Sequence, residues 1–165
     1  MGNRAVITWN PSEGGIGVYL HWNGGVHSVK GFLEYCKMKE YRAPDCDCYG
    51  FARLCQVIGN FFGGTCSVGI DMNSRLDCDN WDNGVYVCKG WDIVGHVYSA
   101  PSNDQYDMLE LLIDIDNKMP KEEQLGKEVI DGWYKAHEEE IEKNIEFGLK
   151  VGRENDATSF NEEEE

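Results

Sequence analysis

No apolar run in the 165-residue sequence approaches the ~20 residues that a membrane-spanning helix needs, so no helical span is expected. The opening "MGNRAVITWN" holds one arginine and no apolar h-region, which argues against a secretory leader. Val6 stands where a myristoylation signal requires Ser or Thr, so a lipid anchor is not expected either. These absences point to the cytosol. The seven cysteines (Cys36, Cys46, Cys48, Cys55, Cys66, Cys78, Cys88) contain no C-x-x-C pair, which speaks against a structural zinc site. Their odd number, without an export signal, argues for reduced thiols rather than a disulfide framework. Cys36, Cys55 and Cys88 lie in apolar periodic segments, where a free thiol acts as a small hydrophobe.

Basic residues are also scarce, at 15 Lys and Arg against 30 Asp and Glu, and they form no stripe. Direct binding of nucleic acid is therefore not expected. The glycine stretches "GGIG" and "FFGG" lack the lysine and the strand–loop–helix setting of a phosphate-cradling loop, and no cofactor is expected.

What is present above all is acid. The formal charge of −15 is uneven: residues 1–100 hold ten acids and eight bases, whereas residues 101–165 hold twenty acids and seven bases. A nearly neutral body thus carries a strongly acidic C-terminal part, a field that repels nucleic acid and favours a basic protein partner. The plainer role of such charge is solubility. With 41% of residues apolar, residues 1–150 can bury a core as one domain.

Alternation and turn residues predict strands over 5–9, 16–22, 66–71, 84–88 and 91–98, with Lys89–Gly90 as a two-residue turn between the last two. A helix is expected over 29–40, capped by Ser28, and another over 48–59, capped by Asp47. In the second, Phe51, Leu54, Cys55 and Ile58 form a buried stripe, and Gly59 and Gly63 can end it in left-handed conformations. After "APSND" the chain turns helical over 104–117 and 121–150. Residues 151–165, ending "NEEEE", have little apolar content and are expected to be disordered. The element order predicts an α+β domain: an antiparallel sheet of about five strands with helices on one face and an acidic helical end.

Three clusters invite chemical readings. In "DCDCYGFARLC", Cys48 opens a helix, a position that stabilises a thiolate, and His96 lies in the strand-like "IVGHVY". The stretch "DCYGF" is similar to the D-C-x-G-[FL] signature of NlpC/P60-type cysteine peptidases. That similarity implies Cys48 as nucleophile and His96 as base of a hydrolase. The plainer alternative is a cap-proximal thiol at the start of a core helix, with His96 a strand residue. "DCDNWDNG" fails the calcium-loop pattern because Trp81 occupies its fifth position, and it reads as a turn; no metal site is expected. His21, Trp22, Asn23 and His27 beside a glycine pair could line a small-ligand (nucleotide) pocket, with Trp81 and Trp91 close by if the hairpins are neighbours.

"MGNRAVIT", "GVYLHWNGG", "DCYGFARLCQVIGNFFGG" and "LDCDNWDNGVYV" together resemble a family of small accessory proteins of bacteriophages and mobile elements. The resemblance covers roughly residues 1–115 and brings no residue roles. It implies an accessory product in the host cytosol, of the kind that inhibits host defence. Combined with the charge, this gives the leading expectation: a non-catalytic protein that binds and inhibits a host protein such as a CRISPR or other defence nuclease. Its contact surface would be an acidic, nucleic-acid-mimicking one drawn from Asp114, Asp116, Glu138, Glu139, Glu140, Glu142 and Glu146. A Cys48/His96 hydrolase and a small-ligand binder are the alternatives.

Overall fold

A computed structural model describes residues 2–64, 66–98 and 106–163, with side chains described as far as Glu154. Five strands, β1 (Ala5–Thr8), β2 (Ile16–Leu20), β3 (Val68–Met72), β4 (Val85–Lys89) and β5 (Asp92–Val97), form one sheet in the order β3-β2-β1-β4-β5. Four helices accompany it: α1 (Val26–Met38), α2 (Tyr49–Phe62), α3 (Met108–Asn117) and α4 (Lys127–Glu163). The α+β class and five strands are as expected, but the sheet is mixed: β1 pairs parallel with β4, and all other pairs are antiparallel. The cause is the segment 73–84. It crosses the outer face of the sheet from the end of β3 and returns the chain to the starting end of β1, where β4 must run parallel. Asn73 and Leu76 of that segment lie over Gly17, where an added Cβ would come within 2.5 and 3.0 Å of them.

The inner face carries the core. Ala5, Ile7, Val18, Leu20, Tyr86, Cys88 and Ile93 project from the sheet onto Val29, Phe32, Leu33 and Cys36 of α1. Leu54 and Ile58 of α2, Leu112 and Ile115 of α3, and Ile130, Ile141 and Ile145 of α4 close it. Burial pushes the Cys36 and Cys88 thiols well above the ordinary thiol range, and Cys55 to about 11, so these three behave as packing groups.

The helix limits differ from expectation for local reasons. The first helix begins after Gly25, which leaves Ser28 buried inside it, where it accepts from Asn23 Nδ2 at 3.4 Å. At α2 the cap position falls to Cys48, and Asp47 instead accepts the Tyr49 N–H at 3.0 Å while pairing with Arg42 at 2.9 Å. Gly63, not Gly59, takes the left-handed position that ends α2. Helix α4 runs unbroken past residue 150, where disorder was expected; extending an existing helix fixes one residue per hydrogen bond, far easier than nucleating one. The side chains of the acidic tail beyond Glu154 lie outside the described residues. Among the described residues no helix is long and apolar enough to cross a membrane.

Candidate functional site

One end of the sheet is built around Arg4. Its backbone N–H and its Nε both donate to Asp82 Oδ2, at 3.0 and 2.8 Å, and a second guanidinium nitrogen reaches Asp77 at 3.4 Å. Burial raises the Asp82 pKa, but the Arg4 bonds outweigh it and hold the carboxyl below the usual range. The buried Asn80 fixes the rest of the loop. Its Oδ1 accepts from the N–H groups of Asp82 and Gly84, and its Nδ2 donates to the Asp77 carbonyl. This is the side-chain-supported turn that Asn favours. Asp77 and Asp82 are thus committed to Arg4, and among the described residues no three His, Cys, Asp or Glu side chains gather as metal ligands.

Three exposed aromatic residues stand on this frame: Trp22, Trp81 (82% exposed) and Tyr98. The adjoining residues are stitched together by Asn3 N–H to His21 C=O and by Asn83 N–H to Arg4 C=O. Gly84 lies so close to Tyr98 that an added Cβ would sit 2.4 Å from its carbonyl. Trp81, Tyr98 and Asn23 have φ of +63°, +56° and +56°, three of the four non-glycine residues with positive φ among those described. Such a conformation costs an ordinary residue about 1–2 kcal/mol. Strain of this kind persists where the surroundings enforce it, and it collects at functional sites.

The acidic residues sort into different roles. Asp116 is buried and structural: it accepts the Tyr35 O–H at 2.6 Å and the N–H groups of Leu125 and Gly126 at 2.8 and 3.0 Å. It cannot contribute to a contact surface, because every oxygen is committed to joining α1, α3 and the start of α4. Glu138, Glu142 and Glu146 form an i, i+4 row on α4, with Glu139 beside it; all but the half-buried Glu142 are exposed. Glu140 lies about 160° round the helix from Glu142, on another face. On α3, Asp114 is exposed and paired with Lys118, and with Asp107 and Glu110 it lines a hollow that also includes Asn23, Phe61 and Tyr106. Tyr134 lies on α4, where its O–H donates to Glu142 Oε1 at 3.4 Å. Burial, then the charges of Glu142, Glu138 and Asp107, push its hydroxyl up to about 12.

The other expected residues are dispersed. His21 is hydrogen-bonded to Tyr19 at 3.0 Å and lies edge-on to Trp22, while His27 sits half-buried in the first turn of α1. Of these and Asn23, only Asn23 lines the hollow on α3. Trp91 is remote from them, buried edge-on to Trp9 with its Nε1 on the Tyr41 carbonyl. Cys48 is exposed at the head of α2, whereas His96 is buried on β5, stacked on Tyr86. The His96 nitrogens face the carbonyls of Gly148, at 3.0 Å, and Asn83.

A second feature escaped the sequence reading. A cavity of about 510 Å³ opens between α1, β5 and α4, walled by Ile93, Ile141 and Phe147. Lys30 and Glu34, both buried, lie at its base, with Lys30 Nζ 3.0 Å from Asp92 Oδ1 and 3.3 Å from Glu34 Oε2. Trp133 Nε1 donates to Glu34 Oε1 at 3.0 Å. The Lys30–Glu34 spacing of four is the only trace of this pair in the sequence, and it is common on solvated helices. Tyr98 and Tyr134 likewise carried no sequence signal, because neither lies in a motif. No family model, no curated protein and no solved structure matches the chain.

Proposed function

We propose that the protein is a cytosolic, non-catalytic binding protein that docks its acidic α3–α4 face onto a basic protein surface, with Trp22, Trp81 and Tyr98 as further contacts. In the bacteriophage setting that the resemblance implies, the partner is a host defence enzyme such as a CRISPR nuclease. The observations that carry this reading are the i, i+4 row of Glu138, Glu142 and Glu146 on α4 and the hollow that Asp107, Glu110 and Asp114 line on α3. Carboxylates arranged along a helix face stand in for phosphates and occupy a groove that otherwise takes nucleic acid. Trp22, Trp81 and Tyr98 supply what charge alone does not, since exposed aromatics held rigidly are the usual anchors of protein interfaces. Cleavage of DNA by a candidate nuclease, measured with wild type and with Glu138→Gln/Glu142→Gln/Glu146→Gln, tests the proposal. Inhibition by wild type that the triple variant loses is expected; equal inhibition by both would contradict it.

Small-ligand binding is a second reading, supported by the cavity over Lys30 and Glu34 rather than by the His21 group. Native mass spectrometry that finds no bound small molecule, together with no thermal shift from nucleotides, would count against it. The hydrolase reading gains no support from the placement of Cys48 and His96.

A further inference from the structure

The two edges of the sheet are treated differently. At β5 the edge is closed by α4: Asn144 Oδ1 accepts the Ile93 N–H at 3.0 Å and Nδ2 donates to the Ile93 carbonyl at 2.9 Å. A register irregularity between Val87 and Cys88 distorts this side further. At β3 none of these devices is present. The register Ile16↔Met72 through Leu20↔Val68 is regular. Hydrogen bonds from Asn73 N–H to Gly15 C=O and from His21 N–H to Ser67 C=O fix its phase. Antiparallel ladders bond at alternate residues, so Gly69 and Asp71 face β2 while Val68, Ile70 and Met72 turn their N–H and C=O groups outward. The Met72 N–H is occupied by Asp71 Oδ1 at 2.8 Å. Among the described residues nothing pairs with the remaining groups of this edge.

The side chains match the backbone. Ile70 is 56% exposed, and Met72 and Ile16 of β2 are exposed beside it, so an open edge coincides with an apolar patch. Monomeric proteins usually protect such an edge with charge, proline or a bulge. We propose that β3 is a dimerisation edge, which pairs antiparallel with β3 of a second copy about a twofold axis at Ile70 to give a continuous ten-stranded sheet.

Three observations select a second copy as the occupant. First, the edge is self-complementary: with Ile70 opposite Ile70, Val68 faces Met72 and Asp71 faces Gly69, so no like charges meet. Four backbone hydrogen bonds form without displacing Asp71 from Met72: two between the Ile70 residues, and two from Val68 N–H to Met72 C=O. Second, the twofold axis brings the apolar patch of Ile16, Ile70 and Met72 beside the same patch of the other copy, as an isologous interface requires. Third, β3 is the strand farthest from α4, which packs on β5 across four strand spacings, roughly 19 Å. Two chains of charge −15 joined here keep their acidic faces at opposite ends, beyond the ~8 Å screening length of physiological salt.

Sedimentation equilibrium of the full chain across the micromolar range, with hydrogen exchange of the Val68 and Ile70 amides, tests this. Wild type is expected to reach twice the chain mass with both amides protected, and Ile70→Lys to remain a monomer with an unchanged circular dichroism spectrum. The hydrogen-exchange result on wild type stands even if Ile70→Lys does not fold. A wild-type monomer throughout, whether or not another protein protects the edge, would overturn the proposal. So would a dimer whose Val68 and Ile70 amides exchange freely, or one that persists in Ile70→Lys.

Discussion

Asn144 holds Ile93 by both ends of its amide, accepting the backbone N–H at 3.0 Å and donating to the carbonyl at 2.9 Å. A side chain on α4 thereby replaces one residue of a sixth strand. Asn144→Ala removes both bonds and leaves a half-buried peptide unpaired, and is expected to cost about 2–3 kcal/mol in urea denaturation. Asn144→Asp keeps the acceptor but loses the donor, and its cost should fall between wild type and Ala.

Asp116 is expected to separate stability from binding. Its three hydrogen bonds, from the Tyr35 hydroxyl and the Leu125 and Gly126 amides, hold the α3–α4 connection against α1. Asp116→Ala should destabilise the fold by about 3 kcal/mol, since bonds to a charged acceptor are the stronger kind. At temperatures where the variant stays folded, affinity for a basic partner should be unchanged. A selective loss of affinity would return Asp116 to the contact surface.

Acid should weaken the fold in two windows. Burial holds the His96 pKa below its ordinary value of 6.5, against the opposing effect of the Gly148 and Asn83 carbonyls. The unfolded chain then binds the proton more tightly, so this contribution is complete above about pH 6.5 and is lost as pH falls below it. Asp82 and Asp92 are held low by Arg4 and by Lys30 with Lys37, which in each case outweigh burial. Their contributions are present above the ordinary carboxylate range and vanish as pH falls through it. Urea midpoints against pH should therefore show an upper step that His96→Gln removes and a lower step that it retains.

Trp81 combines strain with exposure, so it should trade stability for binding. Trp81→Gly relieves a left-handed φ of +63° and is expected to cost no stability, or to raise it by up to about 1 kcal/mol. The same change should weaken partner binding by roughly 30-fold or more, the loss of about 2 kcal/mol typical of an aromatic anchor. Thermal unfolding and calorimetric titration on the same samples check both halves.

Local patterns carried much of the fold. The stripe of Phe51, Leu54, Cys55 and Ile58 located α2, and alternation located all five strands within a few residues. Strand partnership did not follow, because nothing local distinguishes a β4 that pairs with β1 from one that pairs only with β5. Asp116 and Asp114 are two residues apart on one helix, yet one is buried and the other exposed. That distinction depends on where Tyr35, Leu125 and Gly126 fall, which is tertiary information. The acidic bias was legible as composition, whereas the hollow that Asp107, Glu110 and Asp114 line with Asn23 and Phe61 required α3 to be packed against α1 and α2.

The most direct test is the affinity of the chain for a nuclease that it inhibits, measured across salt concentration. A steep log–log decline is expected, reduced in slope in Glu138→Gln/Glu142→Gln/Glu146→Gln, because each neutralised carboxylate removes one charge contact. An affinity that is indifferent to salt, or a slope unchanged in the triple variant, would contradict the proposed acidic docking face.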